Sequence, residues 1–343
     1  MTIDTPTLVD HYGQGVLLTE LGLGTFEARL GSFDTWTGFA VRRWCPPLLD
    51  LDPHCPPARY LARRRELGAL EVARRLLRAS GVGTFLVDTG EPGDRLSPQE
   101  LGRAAGAAAY EVVRLETLAQ RVADSAGSVD GLLAGLAEAV HRAAASAVAF
   151  TSVRAVRHGL SHAADPPGPG EVRGAAGRWL ARRDPGGAVV TDPVLLRHLV
   201  WIAVTTGRPL QLHLDGGDPS PLADFASATG GLGTPVVLLG CSPHHRQAGH
   251  LAGRFPHVYV DLGAATPGVL ADALEATPFG RLMFSCGARG LAELQVTGAR
   301  GFTEALGRVL GGWVRDGAWS RADAERVAGM VAAGNARRVY GLV

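Results

Sequence analysis

A chain of 343 residues, 46% hydrophobic and 20% charged, holds enough material for one large α/β barrel or two smaller domains. Its formal net charge of +1, with no basic block, excludes a partner held by electrostatics such as nucleic acid. No run approaches the ~18 apolar residues that a membrane helix needs, so no membrane partner is expected.

The four cysteines, Cys45, Cys55, Cys241 and Cys286, show no C-x-x-C spacing. That argues against a zinc ribbon or a disulfide framework and for a reducing, cytoplasmic location. The opening MTIDTPTLVDHYG has neither a basic nor an apolar segment, so a signal peptide is not expected.

Taken in order, Thr7 to Gln14 is a short apolar run ending in polar residues, the first expected strand. A Gly-, Phe- and Trp-rich stretch follows and carries Arg42, Arg43 and Trp44; it predicts a long loop insertion over 19–57. Apolar residues at helical spacing from Ala58 to Ser80 predict one helix. Thr84 to Asp88 is the second strand, and Ser97-Pro98-Gln99-Glu100 is a helix start with Ser as cap.

Glu111 to Glu116 is the third expected strand, 129–144 a long helix, and Ser146 to Ser152 the fourth strand. The Pro/Gly-rich segment 161–170 reads as a flexible loop. Helices are expected over 174–183 and 193–206, the second capped by Thr191 or Asp192. Four further strands follow at Pro209 to Leu214, Pro235 to Gly240, Val258 to Gly263 and Arg281 to Cys286. Eight β-rich runs alternating with helical patterns predict an α/β fold, a (β/α)8 TIM barrel. The expected domain is a single one over 1–343, closed by a C-terminal helical cap over 321–343. In such a barrel the active site lies at the C-terminal strand ends, which places Asp10 to Gln14 there.

These strands carry a resemblance. Asp10-His11 closes strand one and Gln211-Leu212-His213 lies in strand five. Pro243-His244-His245-Arg246 follows strand six, and VYVDLG is strand seven. PFGRLMFS leads into strand eight, and NARRVYGL ends the chain. In this order the chain resembles the amidohydrolase-related family of the amidohydrolase superfamily of metal-dependent hydrolases, nearly end to end. The resemblance implies a divalent metal, such as zinc, that makes hydroxide near neutral pH. Its implied ligands are His-x-His on strand one, a Lys or acidic group on strand four, a His on each of strands five and six, and an Asp closing strand eight. Carried onto this chain, those positions are Tyr12 and Gln14, Thr151, His213, Gly240 and Gly287. Only His213 is a ligand type, whereas a catalytic zinc needs about three protein ligands. The expectation is a barrel without its usual metal ligands and with no resident cofactor. A site rebuilt from His213, Glu116, Cys241, Cys286 or His244 is the metal-containing alternative.

The residues themselves nominate His213, Glu116, Asp88 and Tyr12 for catalysis at the strand ends. Tyr12 and Gln14 could fill the former metal space and bond to one another, while His11 should face away as a structural histidine. Asp88 and Glu116 are expected to close strands two and three and to hold a substrate amine or pair with an arginine such as Arg154. Arg42 and Arg43 are candidates to clamp a substrate carboxylate, since a guanidinium suits bidentate binding; the competing reading makes them ordinary surface arginines. Cys286 with His213 would form a nucleophile–base pair only if a base lowers the thiol pKa, and a buried thiol is the plainer reading. His244 and Gln14 complete the expected binding residues, while Ser285 and Asp261 read as strand-end residues satisfying backbone groups.

Three functions follow. The first is a diverged, metal-independent enzyme acting on a small polar metabolite. The second is a non-catalytic pseudoenzyme that binds a small molecule or a partner subunit. The third is a C–N bond hydrolase with an unconventional metal site. A homodimer is an expected assembly, because barrels of this kind expose their helices.

Overall fold

The computed structural model describes residues 3–160, 163–182, 189–263 and 265–342. The chain opens with β1 (Leu8–Gln14), α1 (Leu23–Leu30), α2 (Trp36–Trp44), α3 (Pro57–Leu67), α4 (Ala69–Arg78) and β2 (Val82–Asp88). It continues through α5 (Pro98–Ala105), β3 (Ala108–Arg114), α6 (Leu115–Ser125), α7 (Val129–Ala144), β4 (Ala149–Ser152), α8 (Pro169–Ala181) and α9 (Pro193–Thr205). Then come β5 (Leu210–His213), α10 (Ala223–Thr229), β6 (Val236–Leu239), α11 (His245–Arg254), β7 (Val258–Asp261), α12 (Pro267–Ala276) and β8 (Leu282–Met283). Helices α13 (Ala292–Arg315), α14 (Arg321–Gly329) and α15 (Asn335–Tyr340) end it. The eight strands lie in one sheet in chain order, and the paired registers from β3 to β7 are parallel, as is β1 with β2. The fold is a (β/α)8 TIM barrel.

The described residues form two compact units. One holds the segments up to Tyr110, Gly263–Ala271 and Met283–Arg337; the other holds Glu111–Leu262, Asp272–Leu282 and the chain from Arg338 onward. In the first unit α4 buries Val72, Ala73, Leu76 and Leu77, one stripe of an amphipathic helix. Phe284 stacks on Phe302 of α13 with ring centroids 4.4 Å apart. In the second, α9 is buried through most of its length, from Leu195 to Val204, as its near-continuous apolar sequence requires.

Several expectations are corrected. The stretch over 19–57 is helical rather than a loop: α1, α2 and a 3-10 turn at Pro46–Leu49 fill most of it. The helix expected over 58–80 is two helices, because Gly68 takes φ +78 between them and only glycine adopts that cheaply. The third strand begins and ends earlier than expected, at Ala108 and Arg114, so Glu116 stands in the first turn of α6 and does not close a strand. Ser97 does cap α5, in a reciprocal box with Glu100, and Asp192 is the cap of α9. Residues 161 and 162 of the expected loop, 183 of the expected helix and 343 of the cap lie outside the described residues.

The inserted helices are tied to α13 by one buried carboxylate. Tyr60 Oη of α3 donates to Glu293 Oε1 at 2.7 Å, and Arg64 Nε lies 2.8 Å from the same oxygen. The Glu293 side chain is fully buried and that of Arg64 is 11% exposed. The Arg64 guanidinium also lies over the ring of Phe26 in α1, 5.1 Å from its centroid, which brings the first inserted helix into the same cluster. Burial and the neighbouring Glu293 charge push the Tyr60 phenol well above its ordinary pKa, so it remains a donor. Because losing one partner of a buried ion pair strands the other, Glu293→Ala is expected to cost about 3 kcal/mol in urea unfolding. A loss below about 1 kcal/mol, the range of exposed pairs, would show that this contact does not anchor the insertion.

Candidate functional site

In the first unit the site is built around an irregularity in β1. Asp10 stands opposite Phe85 and Gly13 opposite Val87, so three steps along β1 match two along β2. Such a bulge frees backbone groups and re-aims side chains. On its other edge β1 is bonded to the segment after β8: His11 N donates to the Phe284 carbonyl at 3.2 Å, and Gly287 N donates to the Tyr12 carbonyl at 3.2 Å. Gln14 N donates to the Ala288 carbonyl at 2.8 Å. Tyr12, only 7% exposed, donates from Oη to Asp88 Oδ2 at 3.2 Å, and Asp88 Oδ1 accepts Gly90 N at 2.8 Å. The expected catalytic residues Tyr12 and Asp88 are therefore brought together by a direct bond.

Asp10, 1% exposed, accepts Cys286 N at 2.8 Å. Burial raises its pKa to about 7, against the pull of the Cys286 amide and the His11 charge, so it takes up a proton near neutrality. Cys286 is buried, and its thiol donates to the Gln295 carbonyl at 3.5 Å. His11 is fully buried. Of the expected anion clamp, Arg43 is already bonded to Glu304 at 3.1 and 3.4 Å and is exposed. Arg42 places its guanidinium over the ring of Phe39 at 5.1 Å.

In the second unit Glu116 is committed to the backbone. Its Oε1 accepts Ser152 Oγ at 2.5 Å and the amides of Val153 and Arg154 at 3.0 Å each. The expected partner Arg154 thus contributes its backbone N–H. Burial raises the Glu116 pKa, opposed by these donors. The arrangement fixes the turn leaving β4, a structural task that the reading of Glu116 as a strand-end acid missed. His213 ends β5, half-buried, with its Cα opposite Leu239. Thr151 is fully buried opposite Gln211, whose Nε2 donates to Tyr340 Oη at 2.9 Å. His244 is half-buried at the start of α11 and donates its backbone N–H to the Cys241 carbonyl at 2.6 Å. The Gln211–Tyr340 bond had no local sequence signal, since 129 residues separate the partners.

The donor set does not fit a hydrolytic metal. Of the positions that the family resemblance implies, Gly240 and Gly287 have no side chain and sit at φ +67 and +58, where a restored His or Asp would be strained. Tyr12 is engaged with Asp88, and Thr151 offers only a hydroxyl. Among the described residues no three His, Cys, Asp or Glu side chains gather as a metal-holding group, whereas a catalytic zinc takes about three.

No family model matches the chain. Protein fluG of Emericella nidulans is 30% identical over 152 residues; the match takes in 39% of this chain and 18% of that protein, so the chain spans less than a fifth of its relative. Among solved structures, a Lactobacillus casei protein designated a metal-dependent hydrolase superposes with a TM-score of 0.79 at 22% identity, over 99% of this chain and 96% of its own. A uronate isomerase from Bacillus halodurans gives 0.61 at 13% identity over 99% and 94%. One from Thermotoga maritima gives 0.57 at 15% over 82% and 72%. At these identities the likeness is one of fold. Among the described residues no helix is long and apolar enough to cross a membrane. The chain shares the (β/α)8-barrel fold of these proteins.

Proposed function

We propose that the protein is a diverged, amidohydrolase-type barrel enzyme that acts on a small polar metabolite without a hydrolytic metal, with Tyr12 and Asp88 handling the proton. The observation that carries this reading is the Tyr12 Oη to Asp88 Oδ2 bond of 3.2 Å, at a strand-one position where the family resemblance implies a metal-binding histidine. A phenol hydrogen-bonded to a carboxylate is a route by which a proton can pass between a substrate oxygen or nitrogen and that carboxylate. A proton leaving the substrate can then reach Asp88 through the Tyr12 oxygen, and the reverse path protonates a leaving group. Asp88 is held for this by the Gly90 amide. In the second unit, His213 is the catalytic candidate, to be tested on its own.

The uronate isomerases that share the fold act, by their names, on sugar acids. Sugar acids and related hydroxy acids are therefore the first substrate class to try. A second reading, a non-catalytic binder, is favoured by the depth of burial of the pair: Tyr12 is 7% and Asp88 1% exposed. A C–N hydrolase with an unconventional metal site has the least support, because among the described residues no three His, Cys, Asp or Glu side chains gather as a metal-holding group.

A thermal-shift screen of sugar acids, hydroxy acids and amino acids, followed by NMR of each stabilising compound for turnover, separates these readings. The proposal expects a stabilising compound that is slowly converted. Both Tyr12→Phe and Asp88→Asn should cut turnover by about 10²-fold, the lower end of what one positioned acid–base group contributes. Conversion unaffected by both changes would move the chemistry off this pair, and binding without conversion would support the non-catalytic reading.

A further inference from the structure

We infer that Asp10 is a positioning residue for Tyr12, fixing the direction of its phenol by bridging the β1 bulge to the segment after β8. The inference rests on the reading of Tyr12 given above and goes beyond it to a residue that touches no substrate. Its ground is an accounting of backbone donors. Between Asp10 and Gly13 the ladder to β2 slips by one residue, so an amide facing β2 in this stretch loses its regular partner. His11 N is taken up by the Phe284 carbonyl. The Asp10 carboxylate accepts the Tyr12 amide from its own strand and the Cys286 amide from the other side, the latter at 2.8 Å.

One side chain therefore holds the backbone of Tyr12 and the backbone after β8 at once. The Tyr12 carbonyl closes the loop by accepting Gly287 N at 3.2 Å. With its amide held by Asp10 and its carbonyl by the segment after β8, Tyr12 leaves β1 along a fixed line, and that line ends at Asp88. Gly13 is part of the device. A Cβ there would lie 3.3 Å from Asp10 Oδ2 and 3.0 Å from Gln295 Nε2, so the missing methyl leaves room for the carboxylate beside the Gln295 amide. Asp10 also faces the charge of His11 and the thiol of Cys286.

The test needs no substrate. The chain has five tyrosines, and uniform 3-fluorotyrosine labelling of the full-length protein gives a fluorine NMR line for each, with the Tyr12 line identified by its loss in Tyr12→Phe. The inference expects Asp10→Asn to move the Tyr12 line by more than its width while the other four stay in place. Gly13→Ala, which crowds the carboxylate and leaves Asp10 intact, should move the same line. An unmoved Tyr12 line in either folded variant overturns the assignment. Movement of all five lines overturns it too, because that marks Asp10 as a general packing residue. Since no metabolite enters the experiment, it can fail while the metabolite screen succeeds, or the reverse.

Discussion

The proton chemistry assigned to the first unit depends on Tyr12 reaching Asp88, and that reach depends on the slip in register between β1 and β2. In a regular parallel sheet the amides of β1 point alternately to β2 and to its other edge, and alternate side chains line one face. The bulge interrupts the β2 side of that pattern between Asp10 and Gly13, while the other edge is bonded to the segment after β8. A polar side chain is then required to satisfy what the ladder no longer does, and Asp10 supplies it.

Three buried carboxylates do comparable work at different places. Asp10 holds the β1 bulge, Glu116 holds the turn leaving β4, and Glu293 holds the inserted helices. Removing a carboxylate from water costs several kcal/mol unless donors replace the lost hydration. Each of these is met by two or three donors on the protein, chiefly backbone amides for Asp10 and Glu116, and a phenol with a guanidinium for Glu293. The raised pKa values of Asp10 and Glu116 record that the compensation is incomplete. Groups of this kind specify a local geometry more than they add stability, which suits loops that must hold strand-end side chains in place.

The barrel was legible because its strands are short β-rich runs bounded by Gly and Pro, a pattern that survives in single sequence. Their boundaries were less so. The start of β3 is hidden because Ala108 and Ala109 carry little β-preference. Its end is hidden because α6 begins at Leu115 with no side-chain cap to mark it. That misplacement carried Glu116 with it. The inserted helices were hidden for a similar reason: α1 follows a glycine with no capping bond, although the Thr35 cap of α2 was readable. Tyr12 and Asp88 could be nominated as strand-end residues, but their bond could not, because it joins two strands beside a bulge that no local pattern announces. Gln295, which lies against Gly13, sits in a 24-residue helix with no motif to single it out.

The central claim is that the strand-end positions have exchanged metal ligation for a protein hydrogen-bond network. The most direct test is the metal content of the protein purified without chelator, measured beside His213→Ala, which removes the one imidazole standing at an implied ligand position. The account predicts divalent metal well below one ion per chain in both proteins. A stoichiometric metal in the native protein that is lost in His213→Ala would contradict it and return the chain to metal-dependent hydrolysis.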